Sequence, residues 1–125
     1  MSNKTGGYQD LAVWRMGMDV TVEVYRLTRD FPSHELYGLT SQMRRCAASV
    51  PANIAEGRGR GGDVEFCRFL SIAAGSIAEL ETFLELSRRL GYGTEEDLDR
   101  VGGQTREVGR MLYGLISTVR QSISR

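Results

Sequence analysis

The sequence is poor in the residues from which catalytic and metal sites are built. It contains one histidine, His34, and two cysteines among 125 residues. A structural zinc site needs four ligands of these types, and a di-iron bundle needs a Glu-x-x-His pair on each of two helices. His34 stands alone near an expected helix start, where a solvated or capping role is typical. We therefore expect no catalytic residue, no metal, no cofactor and no enzymatic activity.

The chain also lacks features of exported and membrane proteins. Cys46 and Cys67 lie in apolar, helix-like stretches, where free cysteine behaves as a small buried hydrophobe. No apolar run approaches the roughly 20 residues that span a bilayer, and residues 1–7 lack the apolar core of a signal peptide. We expect a cytoplasmic protein without membrane contact, with a disordered N-terminal tail over residues 1–9.

An excess of positive charge is missing as well. Sixteen basic residues balance sixteen acidic ones, whereas nucleic-acid binders usually carry a basic excess. Strong, indiscriminate nucleic-acid binding is therefore disfavoured, although a local basic patch is compatible with net neutrality. All basic residues except Lys4 are arginines, which suit bidentate contacts with carboxylate or phosphate groups.

What the chain does contain is helical spacing of apolar residues in four segments. They cover about residues 10–30, 34–56, 63–90 and 94–120. Strand-type alternation is absent, and four helices joined by short loops run antiparallel to their neighbours. We predict an all-α, antiparallel up-down-up-down four-helix bundle over residues 10–120, followed by a C-terminal tail at 121–125.

Individual residues predict details of these helices. Pro51 removes a backbone donor inside the second segment, so we expect a kink there. Thr94 is the expected N-cap of the fourth segment, followed by acidic residues that favour the helix start. The expected seam of the first segment is Leu11, Trp14, Met18, Val22 and Tyr25, beside a second strip of Val20, Val24 and Leu27.

The third segment carries two apolar strips. The heptad-like seam runs from Phe66 to Leu84 and is expected to face the bundle. A helix with two apolar strips must bury both, so we expect the second strip to contact a neighbouring subunit of a homo-oligomer. The interface residues expected in this strip are Phe69, Ile72, Phe83 and Leu86.

Arginines near glycines and near the C-terminus are candidates for phosphate contact. The glycine-rich run 57–62 lacks the Gly-Lys-Ser/Thr ending of a phosphate-binding loop, so a flexible turn between helices is the first interpretation. Its arginines, beside a helix N-terminus, make it the best candidate for nucleic-acid contact. The charge asymmetry around residue 99 indicates either a positive surface or, slightly favoured, pairing between helices or subunits. The expected nucleic-acid contacts are Arg58, Arg60, Arg68, Arg106, Arg110 and Arg120.

Arg44 and Arg45 lie between core positions in the second segment, so one of them must face inward or sideways. Glu79, flanked by the apolar Ile77 and Leu80, is the expected partner. A half-buried Arg–Glu pair of this kind enforces packing specificity more than stability. We therefore predict a structural polar pair between these arginines and Glu79.

Several stretches together resemble a known family. They read DLAVW at 10–14, GLTSQMRR at 38–45, VPANIAEG at 50–57 and GSIAELE at 75–81. Over about residues 8–120 the chain closely resembles the four helix bundle protein family, also called the large-subunit rRNA intervening-sequence protein family. The resemblance implies an antiparallel four-helix bundle that assembles as a ring-like homopentamer.

The resemblance also suggests a nucleic-acid connection. Some members are encoded within insertions in rRNA genes, and a related branch is the basic accessory protein of diversity-generating retroelements, which binds nucleic acid and a reverse transcriptase. Gly62 and Val64 stand where such proteins commonly have a serine cap and a lysine. We expect a non-enzymatic homo-oligomer associated with RNA through arginine patches, or alternatively a scaffold that binds a protein partner.

Overall fold

The computed structural model describes residues 7–124, and this part of the chain folds into four α-helices without a β-strand. The helices are α1 (Ala12–Thr28), α2 (Leu39–Gly59), α3 (Asp63–Leu90) and α4 (Glu95–Ser124), with short 3-10 turns at Tyr8–Asp10 and Ser33–Glu35. Helix α1 packs on α2 and α4, and α3 packs on the same two helices. The predicted antiparallel four-helix bundle is confirmed, with α1 and α3 at opposite corners.

The core face of α1 is not the one expected from the sequence. Its buried residues include Val20, Val24 and Leu27, which the sequence suggested only as a second strip. The expected seam instead points outward in part, because Met18 is 41% exposed and Val22 and Tyr25 are each 46% exposed. On the inward side of α1, a Cβ added at Gly17 would lie 3.4 to 3.6 Å from Val50 and Pro51 of α2, which is ordinary packing contact.

Helix α2 begins later and ends later than the spacing indicated. The carboxylate of Glu35 accepts a hydrogen bond from the Leu39 backbone N–H at 3.1 Å and so caps the helix from outside. The helix is continuous through Pro51 and runs to Gly59. The kink expected at Pro51 stays a prediction.

The ends of α3 and the start of α4 match the sequence expectation. Helix α3 begins at Asp63 and stops at Gly91, which adopts the left-handed conformation that glycine tolerates. The Thr94 hydroxyl accepts the Asp97 backbone N–H at 3.0 Å, so Thr94 caps α4 as predicted. Helix α4 extends to Ser124, and residues 121–124 of the expected tail are thus helical. Residues 1–6 of the expected N-terminal tail lie outside the described residues.

The core occupies the space between all four helices. Its largest fully buried side chains come from α2, α3 and α4, and α1 adds mainly valines and Leu27. Cys46, expected in the core, is 6% exposed. The side chains that are entirely enclosed include Met43, Ile54, Leu70, Leu80 and Leu112.

Candidate nucleic-acid interface

The last turn of α2 and the first turns of α3 approach each other closely at Gly57. A Cβ atom added to Gly57 would lie 2.6 Å from the Cβ of Phe69 and 3.2 Å from the Cδ1 of Phe66. Real Cβ atoms do not approach this closely, so only glycine fits. The sequence suggested that Gly57 ends the helix, but its role here is to let two helices meet, and the connection shrinks to Arg60, Gly61 and Gly62.

This close approach places three arginines over two phenylalanine rings. The guanidinium carbon of Arg58 lies 5.5 Å from the ring centre of Phe66. Those of Arg60 and Arg68 lie 5.1 and 4.4 Å from the ring centre of Phe69. Cation–π contacts at these distances favour one orientation of each guanidinium. We call these five residues the arginine corner, and its three arginines are among the predicted nucleic-acid contacts.

Two carboxylates also belong to this neighbourhood. Glu56 accepts a hydrogen bond from Arg60 at 2.8 Å, and Glu65 receives two from Arg68 at 3.2 and 3.3 Å. The hydrogen bond from Arg68, together with the charges of Arg68 and Arg60, holds the pKa of Glu65 below its ordinary value despite opposing desolvation. Glu65 first, and Glu56 more weakly, raise the pKa of Arg68. The four charged groups therefore form one network.

A small cavity lies beside the corner, between the end of α2 and the start of α3. Its volume is about 230 Å³, and its wall includes Arg58, Asp63 and Phe66 with three glycines. Asp63 accepts a hydrogen bond from the Ser122 hydroxyl of α4 at 2.7 Å. The cavity wall thus carries a carboxylate as well as a guanidinium.

A wider groove of about 640 Å³ continues from the corner between α3 and α4. Arg68 and Arg120 line it together with apolar side chains that include Val64, Ile72 and Ile123. Arg68 and Arg120 therefore line the same groove, although the two are far apart in sequence. Four of the six predicted arginines lie at this end of the bundle.

The other two predicted arginines lie elsewhere. Arg106 and Arg110 line a separate groove of about 250 Å³ between the middle parts of α3 and α4, with Glu81 and Tyr113. Arg110 forms an ion pair with Glu107 of the same helix. At 1.5 Å per residue, Arg106 is about 21 Å from Arg120 along α4. The six arginines thus form two groups and not one surface.

The comparison with protein families is decisive for identity. The model of the 23S rRNA-intervening sequence protein family matches residues 9–114, which include α1, α2 and α3, residues 95–114 of α4 and the whole arginine corner. The chain belongs to this family.

A solved structure supports the fold. The crystal structure of a protein of unknown function from the S23 ribosomal protein family of Bacteroides thetaiotaomicron superposes with a TM-score of 0.78. The two sequences are 24% identical, and the alignment covers 84% of this chain and 95% of the other. At this identity the likeness concerns the fold. No curated protein matches the sequence.

The polar pair predicted from the sequence is replaced in this family member by other contacts. Arg44 donates a hydrogen bond to the Thr28 hydroxyl at 2.9 Å and lies over the Tyr25 ring at 4.7 Å. Among residues 7–124, no ion pair joins Arg44 or Arg45 to Glu79. Position 44 lies on the side of α2 that faces α1, and the Arg44 side chain therefore contacts α1 and not α3.

Glu79 instead lies in a groove between α2 and α3. The groove has a volume of about 360 Å³ and also contains Arg45, Cys46 and Phe83. The Cys46 thiol points to the Ser76 carbonyl oxygen at 2.9 Å. Burial, with a smaller effect of the neighbouring Glu79, raises the pKa of Cys46 to about 12. Because the thiolate is the nucleophilic form, Cys46 is chemically inert near neutral pH.

The four expected interface residues differ in exposure. Phe69 is only 7% exposed because it packs inside the chain against α2, so its area is already covered. Phe83 is half-buried, and Ile72 and Leu86 are each 41% exposed. The outward α1 strip of Met18, Val22 and Tyr25 is a second apolar surface. The apolar spacing predicts this strip, but the expectation that it faces the core of the bundle was wrong.

Two further observations concern the described residues alone. Within residues 7–124, histidine, cysteine and carboxylate side chains do not gather in groups of three or more that could hold a metal ion. None of the four helices there is long and apolar enough to cross a membrane.

Proposed function

We propose that this chain is a non-enzymatic cytoplasmic protein that associates with RNA by contacting phosphate groups through the arginine corner. The observation that carries the proposal is the convergence of Arg58, Arg60 and Arg68 on two rings where α2 and α3 meet closely at Gly57. Guanidinium groups held in fixed directions suit bidentate phosphate recognition. The family description, which refers to a 23S rRNA intervening sequence, supports an RNA context.

The proposed recognition is independent of base sequence. Phe66 is 5% exposed and Phe69 is 7% exposed, so neither ring is available to stack on an unpaired base. The two buried rings orient the arginines through cation–π contacts, and only the guanidinium groups would contact the RNA. Contacts to phosphates position a protein on nucleic acid without reading its sequence. Arg120, beside Arg68 in the α3–α4 groove, would extend the contact.

The test is a salt series of fluorescence anisotropy with a labelled RNA hairpin. We expect saturable binding that weakens as salt increases, because phosphate contacts release counterions. Charge reversal of Arg58 and Arg60 to glutamate should weaken binding about tenfold or more at low salt, by the strength of charge-assisted hydrogen bonds. The matched control reverses Arg26 and Arg89 at the opposite end, which are 62% and 77% exposed. Equal weakening by both double variants, or no binding at low salt, would contradict the proposal.

Self-association is the second part of the proposed function. The α1 strip and the exposed α3 residues Ile72 and Leu86 lie on helices at opposite corners of the bundle. When two different surfaces of one chain pair, each copy uses one surface towards each neighbour, and the assembly closes into a ring if the rotation permits. The family resemblance suggests five subunits.

Sedimentation velocity tests the assembly. Val22→Asp on the α1 strip and Leu86→Asp on α3 should each shift the protein towards monomer, because each places a charge in the proposed interface. Tyr113→Asp is the control, since Tyr113 is 66% exposed on α4 and belongs to neither surface. Unchanged sedimentation of both interface variants would argue against these surfaces.

A protein scaffold is the alternative function, and one observation favours it. Arg60 and Arg68 are already paired with carboxylates, and the chain as a whole is neutral. In this alternative the oligomer presents its surface to a protein partner. Recovery of one specific protein in a pull-down that survives nuclease treatment, combined with no RNA binding at low salt, would support it.

A further inference from the structure

We infer that Glu56 and Glu65 are built-in competitors of phosphate, which hold the affinity of the arginine corner for RNA low. This inference rests on the proposed function, because it concerns regulation of the same site.

The geometry places a carboxylate on each guanidinium that faces Phe69. Arg60 reaches Glu56 at 2.8 Å, and Arg68 reaches Glu65 at 3.2 Å. All four side chains are between 43% and 55% exposed, so an RNA phosphate would approach them from solvent. The two positive charges and the two negative charges cancel within this group.

These carboxylates do not join helices. Glu56 is four residues from Arg60 in the last turn of α2, and Glu65 is three residues from Arg68 in α3. Exposed pairs with this spacing contribute little to stability. The bundle at this end is held by the packing of Gly57 on Phe69, which needs neither acid. Both carboxylates are therefore free to act on ligand affinity without being required for the fold.

A phosphate that binds here competes for N–H donors that a carboxylate already occupies, namely one on Arg60 and two on Arg68. Arginine has a fixed number of donors, so the gain from a phosphate contact is reduced by the lost carboxylate contact. The displaced carboxylate stays within one helical turn and repels the phosphate. Glu56 and Glu65 thus oppose RNA binding in two ways, through competition and through like-charge repulsion.

The experiment compares the wild-type protein with Glu56→Gln/Glu65→Gln in the hairpin anisotropy assay. We expect the double variant to bind about two- to thirtyfold more tightly at low salt, from the usual strength of two exposed ion pairs. The slope of affinity against salt should steepen by roughly one to two units, because two more arginines release counterions. Far-ultraviolet circular dichroism verifies that the variant is folded.

Glu85→Gln/Glu96→Gln controls for the change in net charge, because both double variants remove two negative charges, and Glu96 is exposed in the first turn of α4. Glu85 pairs with Arg89 at four-residue spacing at the opposite end, and its side chain is 53% exposed, as is that of Glu56. Adding Arg60→Gln to Glu56→Gln completes a double-mutant cycle, in which the gain from Glu56→Gln should disappear when Arg60 is absent.

The outcomes separate the inference from the function on which it rests. If reversal of Arg58 and Arg60 abolishes binding but the Glu56→Gln/Glu65→Gln variant binds as the wild type does, the inference fails and the proposed function stands. A gain equal to that of Glu85→Gln/Glu96→Gln would likewise overturn it, because net charge alone would then explain the effect. If neither wild type nor variant binds at low salt, both proposals fail.

Discussion

The two ends of the bundle use the same charged residues for different purposes. At the α3–α4 end, Arg88 of α3 pairs with Glu95 and with Asp99 of α4, the latter at 2.9 Å. Arg100 of α4 pairs with Glu23 of α1 there, and this hydrogen bond leads the effects that lower the pKa of Glu23. At the α2–α3 end, Arg60 of the connection forms its ion pair with Glu56, four residues earlier, and Arg68 forms its ion pair with Glu65 of the same helix.

This difference shows which charges the fold requires. Ion pairs that cross from one helix to another fix how the helices meet, whereas pairs within one helix do not. At the α2–α3 end the joining contact is apolar and involves Gly57 with Phe69. The ion pairs of Arg60 and Arg68 are therefore not required to join helices, whereas those of Arg88 and Arg100 connect one helix to another.

The largest expected effect is on the apolar contact. Gly57→Ala should lower the free energy of unfolding by about 1 to 3 kcal/mol, as overpacking of a core does, because its Cβ would meet Phe69 at 2.6 Å. Gly59→Ala in the same helix should raise stability by about 0.5 to 1 kcal/mol, since nothing lies within 4 Å of its added Cβ. Urea unfolding measures both, and a stable Gly57→Ala protein would show that the helices can separate cheaply.

A smaller effect is expected from the ion pairs that cross between α3 and α4. Replacing Glu95 with Gln and Asp99 with Asn removes both α4 partners of Arg88, and we expect a loss of about 1 kcal/mol or less. The corresponding double variant at the other end, Glu56→Gln/Glu65→Gln, should leave thermal unfolding unchanged. Equal losses in the two variants would remove the distinction between the ends.

The smallest expected effect is a pH dependence at the α3–α4 end. The Leu39 backbone N–H first, and then the Tyr92 hydroxyl, lower the pKa of Glu35 from its ordinary value of 4.5. Because the folded pKa is depressed, this stabilisation is present above the unfolded pKa and is lost as pH falls through the lower folded value.

Urea unfolding at pH 7 and in the acid range measures this effect. The difference in stability between wild type and Glu35→Gln should be largest near pH 7 and should narrow below pH 4.5. Glu96→Gln is the control, because Glu96 is exposed in the first turn of α4. A difference that is constant with pH would mean that the ionised carboxylate does not support the start of α2.

The sequence predicted the helices well where capping residues mark their ends. Gly91 and Thr94 are local signals of this kind, and the end of α3 and the start of α4 agree with them. The predicted end of α2 was wrong because glycine is common at helix ends, and the sequence therefore predicts that this helix ends at Gly57. Its actual role depends on Phe69 of another helix, which local sequence does not reveal.

The faces of helices were harder to predict than their ends. In α1 the outward strip has the larger apolar side chains, including Met18 and Tyr25, and hydrophobicity alone therefore favoured the wrong side. The inward face of α1 is the side on which Gly17 packs against Val50 and Pro51 of α2. Arg44 was misassigned for the same reason, because its partner Thr28 lies on a helix whose orientation was not known.

The corner also sets what evolution can change at this end of the molecule. An alanine at position 57 would collide with α3, and Gly61 has a φ of 81° that favours glycine, whereas a Cβ added at Gly62 meets no atom within 4 Å. The connection between α2 and α3 can therefore be lengthened or replaced during evolution, whereas position 57 must remain glycine. Length variation among relatives should accumulate in the three-residue connection that carries Arg60, next to the contact between Gly57 and Phe69.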